Sequence, residues 1–171
     1  MVVLITALLF VLGIALQGSV LALAGTAGVH PDFLLIVTVS LGILGGPKNG
    51  AIIGACAGLL QDILFGSPLG FFAAVKMLAG ALAGMFADDI YKDMTAAPMT
   101  LIAFISAFTD LFTYLLIKLF ALPLPYAFSA YLQEYVAVRI AYHFFLTGVI
   151  YPPLFRVQRR HALFPEKSVE E

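Results

Sequence analysis

The chain has 171 residues, 62% of them hydrophobic and 11% charged, with a mean hydropathy of +1.04 and a formal net charge of −1. A soluble domain is about a quarter charged and about half apolar, so this composition describes an integral membrane protein, unable to clothe itself in polar surface. The charge balance excludes a nucleic-acid partner, which needs a basic face, and the single cysteine, Cys56, excludes an intrachain disulfide.

The first predicted helix runs from Val2 to Ala24, long enough for about 30 Å of hydrocarbon at about 20 residues per span. Ala22-Leu23-Ala24 before Gly25 resembles a signal-cleavage site. No Lys or Arg precedes the run, however, and its apolar part is longer than a usual signal core, so retention is the expected outcome and cleavage the alternative. The second and third runs, Pro31 to Leu44 and Gly50 to Phe65, are joined by Gly45-Gly46-Pro47-Lys48-Asn49. Each is short for a span of about 20 residues, so they form either two short spans or a re-entrant hairpin shielded by protein. Two short spans are expected, because a re-entrant loop would leave Lys48 at depth. Asp32, beside Pro31, is expected to cap the second helix.

The fourth run goes from Leu69 to about Ala87 and closes on Asp88-Asp89-Ile90-Tyr91-Lys92-Asp93. The fifth, Pro98 to Phe120, holds Asp110 well inside and is broken by Leu122-Pro123-Leu124-Pro125. Tyr126 to Glu134 is amphipathic enough to lie at the interface, with Tyr126 and Tyr131 at headgroup depth. The sixth run, Tyr135 to Phe155, ends at Pro152-Pro153, and Arg156, Arg159, Arg160 and Lys167 begin a polar tail expected to be disordered. The predicted architecture is therefore an all-α integral membrane protein: one compact bundle of six transmembrane helices over 1–156, two of them short, and a short polar cytoplasmic tail over 157–171. Six spans put Lys48, Lys92 and the basic tail on one side, which the positive-inside rule assigns to the cytoplasm together with both termini; Lys118 is the exception.

Two kinds of stripe carry the packing. Gly50, Gly54, Gly58 and Asp62 recur every four residues, as do Lys76, Gly80, Gly84 and Asp88, and on a helix such a set stays on one slowly drifting face. If the chain reverses near Ser67, Gly54 falls opposite Gly80 and Gly50 opposite Gly84, and the two glycine faces meet, as helices in lipid do at small residues. The charges at the ends of these stripes need partners, and an Asp62–Lys76 pair is the expectation. A second set, Ser106, Asp110, Tyr114 and Lys118 on one helix and Tyr135, Arg139, His143 and Thr147 on the next, repeats with the same spacing. Asp110 and Arg139 are candidates for mutual neutralisation. These stripes either hold the bundle together, dock another protein's helix, or line a path for a proton or small solute.

Chemistry is harder to place. No zinc spacing, Walker sequence, nucleophile elbow or dinucleotide fingerprint occurs. His143 has no second His at metal spacing and reads as a hydrogen-bonded packing residue. Asp32, Asp62 and Glu134 could form a carboxylate cluster, but nothing fixes their distances. No catalytic residue, metal ligand or cofactor is assigned.

The order of features from 31 to 84 resembles a known family. Pro31-Asp32-Phe33-Leu34-Leu35 opens a short apolar helix; Gly46-Pro47 to Gly50, Gly54, Gly58, Leu60-Gln61-Asp62 and Gly66-Ser67-Pro68-Leu69-Gly70 follow. This pattern resembles the rod shape-determining protein MreD family of bacteria, with Pro31, Asp32, Gly46, Pro47, Gly50, Gly54, Gly58, Asp62, Gly66, Pro68 and Gly70 as the matching positions; Lys76 and Cys56 fall outside it. The resemblance implies a nonenzymatic inner-membrane subunit of the machinery that elongates the lateral cell wall. Its implied partners are the bitopic protein MreC and, through it, the actin-like MreB, the polymerase RodA and a penicillin-binding transpeptidase. It also implies a helix layout similar to the substrate-capture subunits of energy-coupling-factor transporters. Three functions follow for test: a membrane scaffold, which is the leading expectation, a solute-binding or transport subunit, and an intramembrane enzyme acting on lipid. Self-association is left open.

Overall fold

A computed structural model of the chain describes residues 2–24, 29–66, 68–120, 136–160 and 163–164. Ser67, the segment 121–135 with Glu134 and the tyrosines expected at the interface, and Lys167 lie outside the described residues. Among those described are five α-helices and no strand: α1 (Val2–Ala24), α2 (Phe33–Phe65), α3 (Phe71–Met85), α4 (Ala96–Leu119) and α5 (Ala137–Arg159).

The six predicted runs become five elements because the second and third are one helix folded in two. The break is at Gly46, whose φ of 82° and ψ of 176° leave the helical region. A glycine tolerates that positive φ, and Pro47 behind it restarts the helix at a position where a missing N–H matters least. A β-carbon on Gly50 would come within 2.9 Å of the Gly42 Cα, although eight residues of straight helix span about 12 Å. The chain therefore doubles back, and the limbs 33–45 and 47–65 lie side by side. Asn49 Nδ2 closes the bend by donating to the Gly45 carbonyl at 2.9 Å. At about 1.5 Å per residue the first limb is only about 20 Å long.

α3 lies against both limbs. A β-carbon on Gly42 or on Gly50 would strike the Gly80 carbonyl oxygen, at 2.6 and 2.2 Å. Leu34, Ile36, Leu41, Ile43, Ala57, Ala79, Ala83, Ile102 and Ile105 fill the interior, all at most 1% exposed. α4 and α5 pack on one another and close the bundle beside α2 and α3, while α1 leans on α2. The outward faces, with Leu4, Leu8, Phe104, Leu111, Phe145 and Val149 exposed, are apolar as well.

Two expectations about the C-terminal part are corrected. α5 does not stop at Pro152-Pro153 but continues to Arg159, as helices at membrane depth can where neighbouring groups take up the freed carbonyls. Beyond it, Leu163 and Phe164 are buried, not part of a disordered tail. The Gln158 side-chain amide holds Phe164 by both backbone groups, Nε2 donating to its carbonyl at 3.0 Å and Oε1 accepting from its N–H at 2.9 Å. The Phe164 ring covers Gly45 at the bend, where a β-carbon would come within 2.7 Å of it.

Candidate functional site

The glycine rows face each other, and all five predicted packing glycines lie in contact. The register differs from the expected one by a turn: Gly50 meets Gly80, Gly54 meets the Lys76 carbonyl at 2.0 Å from an added β-carbon, Gly58 meets Phe72 and Ala73, and Gly84 meets Gly46 and Pro47. The cause lies in how α3 begins. Gly70 supplies no side-chain cap, so the first N–H groups of α3 take the Asp62 carboxylate, 1% exposed, instead: Gly70 and Phe72 donate to it at 2.9 Å and Ala73 at 3.3 Å. An anion at a helix N-terminus is favoured by both the free donors and the helix dipole. This contact draws the start of α3 back toward 58–62.

The same contact removes Asp62 from the predicted ion pair. Lys76 pairs with Asp32, the N-cap of α2, whose Oδ2 accepts from Lys76 Nζ while its Oδ1 accepts from the Leu35 N–H at 2.9 Å. The Lys76 side chain is 1% exposed and that of Asp32 20%. The reason is geometric. Asp32 and Asp62 are about equally far in sequence from Gly46, so folding α2 in two brings both to the end of the bundle opposite the bend, and Asp62, held by three backbone donors, leaves the ammonium to Asp32, which has one.

Arg139 on α5 donates from Nη1 to Asp110 Oδ1 on α4 at 2.7 Å, with the Asp110 side chain 6% exposed. His143, one turn further, ties α4 to the start of α2. Its Nε2 accepts from the Asp32 N–H at 2.8 Å, which leaves the proton of a neutral ring on Nδ1, 2.7 Å from Ser106 Oγ. Thr147 and Thr109 donate to the carbonyls of His143 and Ser106, at 2.7 and 3.0 Å. The polar stripes of α4 and α5 thus face each other and reach across to the start of α2. The His143–Asp32 link was not anticipated; the only sequence signal for it is that Asp32 and His143 both end at the level opposite the α2 bend.

A cavity of about 40 Å³ lies among Asp32, Lys76, Thr109, Asp110, Arg139 and His143, room for a water or two. Outside it a recess of about 410 Å³ opens between Gln17, Gln61, Phe65, Phe72, Thr113 and Arg139, contributed by all five helices together with His30 in the turn before α2. Asp32 and Asp62 hold different partners, Lys76 and the start of α3, and Glu134 lies outside the described residues. Among the described residues no group of three His, Cys, Asp or Glu could hold a metal ion, and Cys56 is exposed.

Compared with protein-family models, the chain matches the one described as rod shape-determining protein MreD, over residues 1–160. The chain belongs to the MreD family. Neither the curated proteins nor the solved structures compared with it contain a match. MreD proteins are membrane proteins that determine rod shape, and they are not a known enzyme family. Phe33–Phe65 and Ala96–Leu119 are long and apolar enough to cross a membrane by length and composition, with the first of these bent at Gly46. The family match extends over the polar stripes of α4 and α5, well beyond the 31–84 region that carries the sequence resemblance.

Proposed function

We propose that this MreD protein is a nonenzymatic scaffold of the cell-wall elongation complex in the bacterial inner membrane, binding an MreC-like bitopic protein and, through it, MreB, RodA and a penicillin-binding transpeptidase. One observation supports it most: the interior ionised groups are engaged with one another or with backbone, Lys76 with Asp32, Arg139 with Asp110 and Asp62 with the start of α3. Such closed pairs fix a shape. The limbs of α2, α3, α4 and α5 with α1 make six rods, and we propose that they form the transmembrane bundle with both chain ends in the cytoplasm. Lys92, Arg156, Arg159 and Arg160 lie at the end of the bundle that carries the bend, as Lys48 does, and support that orientation. The likeness to energy-coupling-factor substrate-capture subunits stays a proposal resting on helix order.

Affinity purification of the tagged protein from native membranes tests this. Recovery of MreC-like and wall-synthesis proteins is expected. A second reading, a solute-binding subunit, draws on the recess beside Arg139; copurification of a nucleotide-hydrolysing module in place of wall-synthesis proteins would favour it.

A further inference from the structure

Where α3 passes into α4, the chain folds its connecting segment back beside the new helix and leaves a groove of about 390 Å³ lined by Phe86, Asp89, Ile90, Ala97, Leu101 and Phe104. It lies at the end of the bundle that carries the α2 bend, since Gly84 packs on Gly46 and Tyr151 Oη donates to the Lys92 carbonyl at 3.3 Å. The groove is graded along its length. Its deep end is apolar and open, Phe104 being 65% exposed about 12 Å along α4 from its start. Its outer rim carries exposed Asp89, with exposed Asp93 four residues further along the same segment, while Lys92 turns to Asp88 at 4.0 Å.

That gradient selects an occupant. At the depth of Phe104 anything except a helix would leave backbone groups unsatisfied in hydrocarbon. A phospholipid would set its phosphate beside Asp89 and Asp93, like charge against like charge. A second copy presenting this same surface would bring the same aspartates face to face. A membrane-spanning helix with Lys or Arg at its flank meets both halves, and basic flanks are common on the cytoplasmic side. We propose that this groove seats the end of a partner's membrane-spanning helix, apolar against Phe86, Leu101 and Phe104 and basic where it passes Asp89 and Asp93. This rests on the scaffold reading and adds to it where a partner docks and what charge it carries.

The experiment places the photoreactive residue p-benzoylphenylalanine at Phe104 in the full-length protein in its own cells, with the same probe at Phe145 on α5, 69% exposed, as the comparison site. Adducts are identified by mass spectrometry. The Phe104 probe is expected to label a membrane helix of another protein within two turns of a Lys or Arg, and the Phe145 probe not to label it. Asp89→Lys with Asp93→Lys should lower that adduct about five- to tenfold, the weight of one or two exposed ion pairs, at unchanged folded yield because both side chains are exposed. An adduct that is absent, is lipid, is this chain itself, or is indifferent to the charge reversal overturns the proposal. Wall-synthesis proteins that copurify while the Phe104 probe labels only lipid would sink this groove and leave the scaffold standing. A charge-sensitive helix adduct from a protein with no part in wall synthesis would do the reverse.

Discussion

Replacing Asp32 by Asn tests the interior charge arrangement at one atom. Asn is as good an N-cap as Asp, so the bond from the Leu35 N–H at 2.9 Å survives, and only the negative charge is lost. What remains is the Lys76 ammonium, 1% exposed, with its counter-charge gone; breaking a buried pair from one side costs about 3 to 5 kcal/mol. The converse change, Lys76→Met, is milder. Asp32 keeps its backbone donor and is 20% exposed toward the recess, so about 1 to 2 kcal/mol is expected. The double variant should cost no more than about 2 kcal/mol, a coupling of at least about 2 kcal/mol, within the range of residues in direct contact. Unfolding by sodium dodecyl sulfate in mixed micelles, followed by far-ultraviolet circular dichroism because the chain has no Trp, gives all three values. An Asp32→Asn cost under about 0.5 kcal/mol, the level of a surface change, or a double variant equal to the sum of the singles, refutes the pairing.

Asp62→Ala should cost about 2 to 4 kcal/mol by leaving the Gly70, Phe72 and Ala73 donors without their acceptor, and its cost in the same titration should add to that of Lys76→Met; strong coupling would mean that the two charges are partners after all. Gly54→Ala forces a β-carbon to within 2.0 Å of the Lys76 carbonyl and should cost about 3 kcal/mol. Gly66→Ala, with φ of 68° and no neighbour within 4 Å, should cost about 1 kcal/mol from backbone strain alone, and the reverse order would contradict the close approach of α2 and α3. Gln158→Ala should release Leu163 and Phe164 from the bend at Gly45, seen as faster chymotryptic cleavage after Leu163, the Phe164 bond being closed to the protease by Pro165, with the rest of the bundle intact.

The parts of this fold that could be read in advance are those set by local periodicity. The four-residue glycine spacing places Gly50, Gly54 and Gly58 on one face and Gly80 and Gly84 on another, whatever the rest of the chain does. The stripes of Ser106 and Asp110 and of Arg139, His143 and Thr147 follow the same arithmetic. What could not be read is competition between distant groups. Asp32 and Asp62 are equally plausible partners for Lys76 until it is known that Gly70 offers α3 no cap, and that choice also moves the glycine register by a turn. Pro152-Pro153 reads as a stop because proline removes a helical hydrogen bond, yet α5 continues through it. Leu163 and Phe164 sit in a polar stretch, and only the Gln158 clamp and the bare surface at Gly45 explain their burial.

If the interior charges exist to hold a shape, then a protein that keeps the shape without them must still work. The deciding measurement is cell width and length after depletion of the native protein in cells that carry the Asp32→Asn, Lys76→Met double variant at wild-type folded yield. Rods of normal dimensions are the predicted result. Round cells, with the variant folded and in the membrane, would show that the pair carries chemistry or solute recognition that a scaffold does not need.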